Sequence, residues 1–145
     1  MSSRTSQLNE LIEITRDGQR FYEHAITEVK DPQLQALFRD MSQAKIQVIQ
    51  ALAVKVAANH DTPAQGGTVI GKLRQVYADT KASMTKDEGA AYVAELEDTE
   101  DRILHAFEDA MEDADPDVRA ALAVEMPKVR ACHDRMRDLK HSLGK

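Results

Sequence analysis

Residues 92–111 read YVAELEDTEDRILHAFEDAM. Within this stretch Val93, Leu96, Glu100, Ile103, Phe107 and Ala110 follow a three-four spacing, the core seam of an amphipathic helix. Five of the six are apolar and the middle one is a carboxylate. A buried carboxylate is stable only when it is paired with a cation, binds a metal or takes up a proton. The same periodicity predicts a first helix from about Ser6 to Val29, with Leu8, Leu11, Ile12, Thr15, Tyr22, Ile26 and Val29 inward. A second runs to about Asn59 with Leu34, Leu37, Phe38, Met41, Val48, Leu52 and Val56 inward. A shorter helix is expected at about 69–84, carrying Val69, Leu73, Val76, Tyr77 and Met84. The helix at about 87–114 and a final one to about Leu143 complete the set.

Punctuation agrees with this division. Asp31-Pro32 and Asp115-Pro116 each supply an N-cap followed by proline in the first helical turn. The segment NHDTPAQGGT is a loop by composition, and no stretch alternates with the period of two that a half-buried strand needs. Two short Asp-Pro connections imply two antiparallel hairpins. The stretch from 60 to 86 is too long for a turn, and its helix, roughly 16 residues, would extend about 24 Å. The expected fold is therefore all-α: one domain over residues 1–145, a four-helix bundle with a long helical crossover at about 60–86. A single long crossover is the ferritin-like arrangement.

Counting outward from the turns brings polar residues to one height. Reflection through Asp31 sets Asp17–Gln19 opposite Gln43–Lys45, and reflection through Asp115 sets Glu97–Glu100 opposite Arg130–His133. If the crossover returns the chain to the first end, Gln19, Lys45, Glu97, Glu100 and His133 share one layer. Gly18 lies in it too, a poor helix residue costing up to about 1 kcal/mol relative to Ala, which implies a need for room or close backbone approach. Glu125 is a second polar position on the final helix's seam, about one turn away from Glu100. Pro127 is expected to kink that helix and free a carbonyl near Ala123.

The layer has two readings. In one, Lys45 and Arg130 neutralise Glu97 and Glu100 in a salt-bridge network that fixes helix register. In the other, Glu97, Glu100 and His133, with Gln19 as a neutral fourth donor, hold one metal ion; such an oxygen-rich set with one imidazole suits iron, manganese or zinc. His24 with Glu28 and His133 with Asp138 have spacings seen in hemerythrin-like oxygen carriers, but too few histidines converge for such a site. His60, His105 and His141 read as surface residues, and Cys132 as a small packed side chain.

Composition narrows the class. The chain has 145 residues, a formal net charge of −6 and one cysteine. The acidic balance and the absence of a long basic run argue against nucleic acid as a partner. No stretch has the length of a membrane span, and MSSRTSQLNE lacks an apolar targeting core. One cysteine forms no internal disulfide and fits a reducing, cytoplasmic compartment. The expected partners exclude membranes, leave a homo-oligomer open and name no particular protein.

The chain also resembles a known group. LNELIEITRDGQRFYEHAITEVKDPQLQALF is similar to the opening of a bacterial ferritin-like family of unknown function, in which L-I-E-x-x-K-D-G-E-x-G-F and V-K-D-P-x-L-K-x-L-F recur. AELEDTEDRI resembles that family's E-C-E-R-G-E-D, and VRACHDRMRDLK its V-x-x-x-H-D-x-x-R-x-L-R. KLRQVYADTKASMT resembles the family's crossover, with Tyr77 in place of the usual tryptophan. The resemblance implies a ferritin-like fold, a carboxylate metal site and a stress-associated role without a settled activity. Glu97, Glu100, Asp101, His133 and Asp134 fall on its polar motif positions, and Gln19 replaces its glutamate in D-G-E. The paired E-x-x-H motifs of di-iron proteins are missing, so ferroxidase activity is not expected. The reading is a small ferritin-like bundle holding at most one metal ion, with a non-catalytic interaction or stress-protection module as the alternative.

Overall fold

The computed structural model describes residues 3–67 and 88–143. Among them are four helices and no strand: α1 Ser3–Glu28, α2 Pro32–Ala58, α3 Glu88–Asp113 and α4 Pro116–Leu143. The predicted helix at 69–84 lies outside the described residues. Both Asp-Pro devices act as expected. Asp31 Oδ1 accepts from the backbone N–H of Gln33 at 2.9 Å, and Asp115 Oδ1 from that of Val118 at 3.1 Å. Each satisfies an amide that the first helical turn leaves without a partner. α1 begins earlier than its pattern predicts because its first turn has a tertiary contact. Thr5 is buried there and donates to Asp61 Oδ2 at 2.7 Å. No helix among the described residues is long and apolar enough to cross a membrane.

Side-chain contacts fix the helix directions. α3 is antiparallel to α1: Tyr92 stacks edge-on against Phe21 near one end, while Ala106, Asp109 and Asp113 flank a groove with Gln7, Glu10 and Ile14 near the other. α3 thus runs parallel to α2, and the connection at 59–87 has to return the length of the bundle. Its described part, residues 59–67, begins that return as an extended strap along the first half of α1. The chain leaves α2 through His60, whose φ of 60° is left-handed, with His60 N–H bonded to Ala57 O and Asp61 N–H to Val56 O. These are the two bonds that close a helix C-terminus when the next residue turns left-handed. Asn9 then binds both Thr62 O (3.1 Å) and Ala64 N–H (2.8 Å), and Arg16 donates to Ala64 O (2.8 Å) and Gly66 O (3.1 Å).

The core is in two parts. One cluster includes Leu8, Ile12, Val48, Leu52, Ile103, Phe107, Val118 and Leu122; the other includes Phe21, Tyr22, Phe38, Met41, Tyr92, Leu96 and Met136. Along every helix the boundary falls at one height: after Ile12 in α1, after Met41 in α2, after Leu96 in α3 and after Val129 in α4. Thr15, Gly18, Lys45 and Glu100 occupy that boundary, all buried. A Cβ added at Gly18 would lie 2.8 Å from Ile103 Cδ1 and 3.7 Å from Lys45 Cε. The glycine therefore lets α3 and the lysine stem come close to the α1 backbone. α4 runs unbroken through Pro127. Ala123 and Pro127 are both exposed, so water can satisfy the carbonyl that the proline leaves unbonded.

Candidate functional site

Glu100 is the centre of the boundary layer and is fully buried. Its Oε1 lies 2.6 Å from Lys45 Nζ, with both side chains shielded from solvent. Its Oε2 accepts from the Tyr22 hydroxyl at 2.5 Å, a length typical of a bond to a charged oxygen. The ammonium's approach to Oε1 is off the line of a hydrogen bond, so that oxygen lacks an aligned donor. Charge attraction depends on distance far more than on alignment, and at 2.6 Å the ion pair stands. One carboxylate is thus held by two groups from the first hairpin: a cation from α2 and a hydroxyl from α1.

The neighbours fill out the layer. Thr15 Oγ1 donates to Leu11 O at 2.6 Å within its own helix. Burial pushes the Cys132 thiol above its ordinary range, with Lys45 working against that shift and Glu100 with it. A protonated, buried thiol is packing rather than a nucleophile. Burial also raises the Tyr22 hydroxyl well above its usual range, and the Glu100 charge adds to the effect. Because the folded value lies above the unfolded one, this stabilisation is complete below pH ~10 and is lost as pH climbs through the folded value. Tyr22→Phe should cost about 1–3 kcal/mol at neutral pH by leaving Glu100 Oε2 without its donor. The gap between wild type and variant should narrow above pH ~10. Denaturant unfolding at neutral and alkaline pH checks this; a gap that stays constant would show that Tyr22 does not titrate with unfolding.

The four residues read as metal ligands are not brought to one point. Glu100 faces Lys45 and Tyr22. Glu97 lies 3.3 Å from Lys140, and Gln19 donates to Glu23 at 2.9 Å on the side of α1 that faces Ser42. His133 is placed between Asp101, 3.3 Å from Nε2, and Asp134, 3.0 Å from Nδ1. Arg130 is 3.4 Å from Glu108, not from Glu100. The α3–α4 register is therefore one to two turns away from simple reflection: His133 meets Asp101, and Glu97 meets Lys140. The reversal is completed inside the first turn of α4, where Ala114 and Val118 are buried on either side of the Asp115 cap, so the pivot falls beyond Asp115. Among the described residues, no three His, Cys, Asp or Glu side chains surround a common point. Glu125 is buried separately, with Lys128 at 3.2 Å.

Sequence reasoning placed Glu100 and Lys45 in one layer but read Tyr22 as an apolar seam member. The available signal was its type, since a buried tyrosine hydroxyl requires a partner. Tyr92 was also missed; it is fully buried, with its hydroxyl 3.0 Å from His24 Nε2.

These features define the protein as an all-α four-helix bundle organised around a buried tyrosine–glutamate–lysine cluster. By sequence, residues 3–113 match a family described as a domain of unknown function, DUF2383, and the chain belongs to that family. The matched region holds Tyr22, Lys45 and Glu100 and ends before α4. No curated protein and no solved structure matches the chain.

Proposed function

We propose that this chain is a ferritin-like bundle that serves as a non-catalytic interaction or stress-protection module. The arrangement of its helices, with one long connection between two antiparallel hairpins, supports the ferritin-like reading. The observation that carries the functional reading is the 2.6 Å contact between Lys45 Nζ and Glu100. A core metal in such a bundle needs several carboxylates facing an unfilled position. Here the one fully buried carboxylate of the layer already faces an ammonium, which would repel a metal ion. The donor set at this height is one carboxylate, one phenol and one protonated thiol, which does not suit a di-iron cluster.

The bundle also presents a surface for contact with other molecules. Between α2 and α4, Ala51, Val54, Ala58, Ala121 and Val124 line an open groove, with Val54 70% and Val124 66% exposed. Oxygen consumption in the presence of ferrous iron tests the non-catalytic reading. The protein should not speed iron oxidation above the protein-free rate. A rate enhancement that Glu100→Gln abolishes would overturn it.

A further inference from the structure

The outer faces of α2 and α3 differ in kind. From Asp98 to Asp113 every exposed residue of α3 is ionisable: Asp98, Arg102, His105, Asp109, Glu112 and Asp113. From Gln43 to Ala58 every exposed residue of α2 is uncharged: Gln43, Gln47, Gln50, Ala51, Val54, Ala57 and Ala58. The neutral surface continues onto α4, where the exposed residues between Arg119 and Lys128 are Ala120, Ala123, Val124 and Pro127. This is a departure for a chain with 30% charged residues and a net charge of −6. Val54 and Val124, the two most exposed large apolar side chains among the described residues, flank a groove of about 270 Å³ between the two helices. The two charged residues that line it are paired within the chain: Lys55 with Asp117 at 2.9 Å, and Glu125 with Lys128 at 3.2 Å. The groove on the opposite side of the bundle, between α1 and α3, is acidic, with Glu10, Asp109 and Asp113 in its walls.

We propose that the α2–α4 face docks a second copy of this chain in a two-fold dimer, with Val54 and Val124 of each copy seated in the groove of the other. In a two-fold interface one patch meets itself, so its residues have to tolerate their own copies. Like charges would repel there, and two acidic chains can approach closely only through a face that carries no net charge. A glutamine amide holds both donors and an acceptor, so it can bond to a second glutamine. Alanine adds little bulk between facing helices. A patch built for a charged partner would carry the complementary charge instead, and this one has none to offer. Size fits the same occupant. The neutral stretch of α2, roughly 16 residues, is about 24 Å long, and two adjacent helices make the face about 20 Å wide. A dimer would then bury about 1,000 Å² in total, the lower bound for a specific interface. The association is therefore weak and concentration-dependent. This inference rests on the interaction reading above and supplies its partner.

Sedimentation equilibrium of the full-length protein, from low to high micromolar concentration, tests the pairing. The average mass should rise from that of one chain toward that of two. Salt should strengthen the association, because it screens repulsion between two chains of net charge −6 and removes no attraction from a neutral face. Val54→Glu and Val124→Glu, each at an exposed position that leaves the fold intact, should weaken it by more than about tenfold, since each would bury an unpaired carboxylate at the interface. His105→Glu, which adds the same charge to the outer face of α3, should leave it unchanged. Circular dichroism and melting of dilute samples should be the same for all three variants as for wild type. A chain that stays monomeric at high micromolar concentration would overturn the pairing and leave the groove to an unrelated partner. A dimer undiminished by both Val54→Glu and Val124→Glu would overturn it as well. Neither result alters the outcome of the iron assay, which alone decides the non-catalytic reading.

Discussion

Lys45→Met should destabilise the protein by about 3–5 kcal/mol, the usual effect of removing one partner from a buried ion pair. Glu100 remains fully buried in the variant, with only the Tyr22 hydroxyl to compensate its charge. The loss is therefore mainly the desolvation of an unpaired carboxylate, and only secondly the lost attraction. Lys45→Met/Glu100→Leu should recover most of it, because replacing a whole buried pair with apolar side chains of similar volume is often neutral or stabilising by about 1–4 kcal/mol. The Tyr22 hydroxyl then lacks its acceptor, at about 1–3 kcal/mol, so adding Tyr22→Phe should bring the triple variant near wild type. Urea unfolding of the series measures each step. A single Lys45→Met effect below about 1 kcal/mol would mean that Glu100 is neutral in the folded state.

Phe107→Ala should cost about 3–5 kcal/mol, as for other fully buried aromatic side chains cut to alanine. Phe38→Ala in the other core cluster should cost a similar amount. For a chain of this size each corresponds to a fall in melting temperature of about 10–16 °C. Both variants should still melt in one transition. All four helices pass through both clusters, so neither can come apart while the other keeps its packing. Calorimetry of the two variants decides this. Two separate transitions in either would show that the boundary layer divides the molecule into independent folding units.

The three-four seams, the Asp-Pro caps and the misfit of Glu100 were all legible in the sequence, because local spacing and local hydrogen bonds determine them. Lys45 was placed level with Glu100 by counting from the turns together with the expectation that the long crossover returns the chain to its first end. The α3–α4 register was not legible. It depends on how Ala114 and Val118 pack across the reversal, and an error of one turn is enough to pair His133 with Asp101 instead of Glu97. The strap on α1 was hidden for a different reason. Asn9 and Arg16 look like ordinary exposed polar positions until the chain from 61 to 67 lies against them.

The buried pair also constrains how this sequence can change over generations. A natural domain has about 5–15 kcal/mol of net stability, and losing either Lys45 or Glu100 alone removes a large part of it. An apolar layer in their place could be as stable, yet reaching it requires two replacements whose intermediates are both disadvantaged. The pair is thus protected by a mutational barrier whatever the protein does. Its persistence in relatives would record that barrier, and would not by itself mark an active centre.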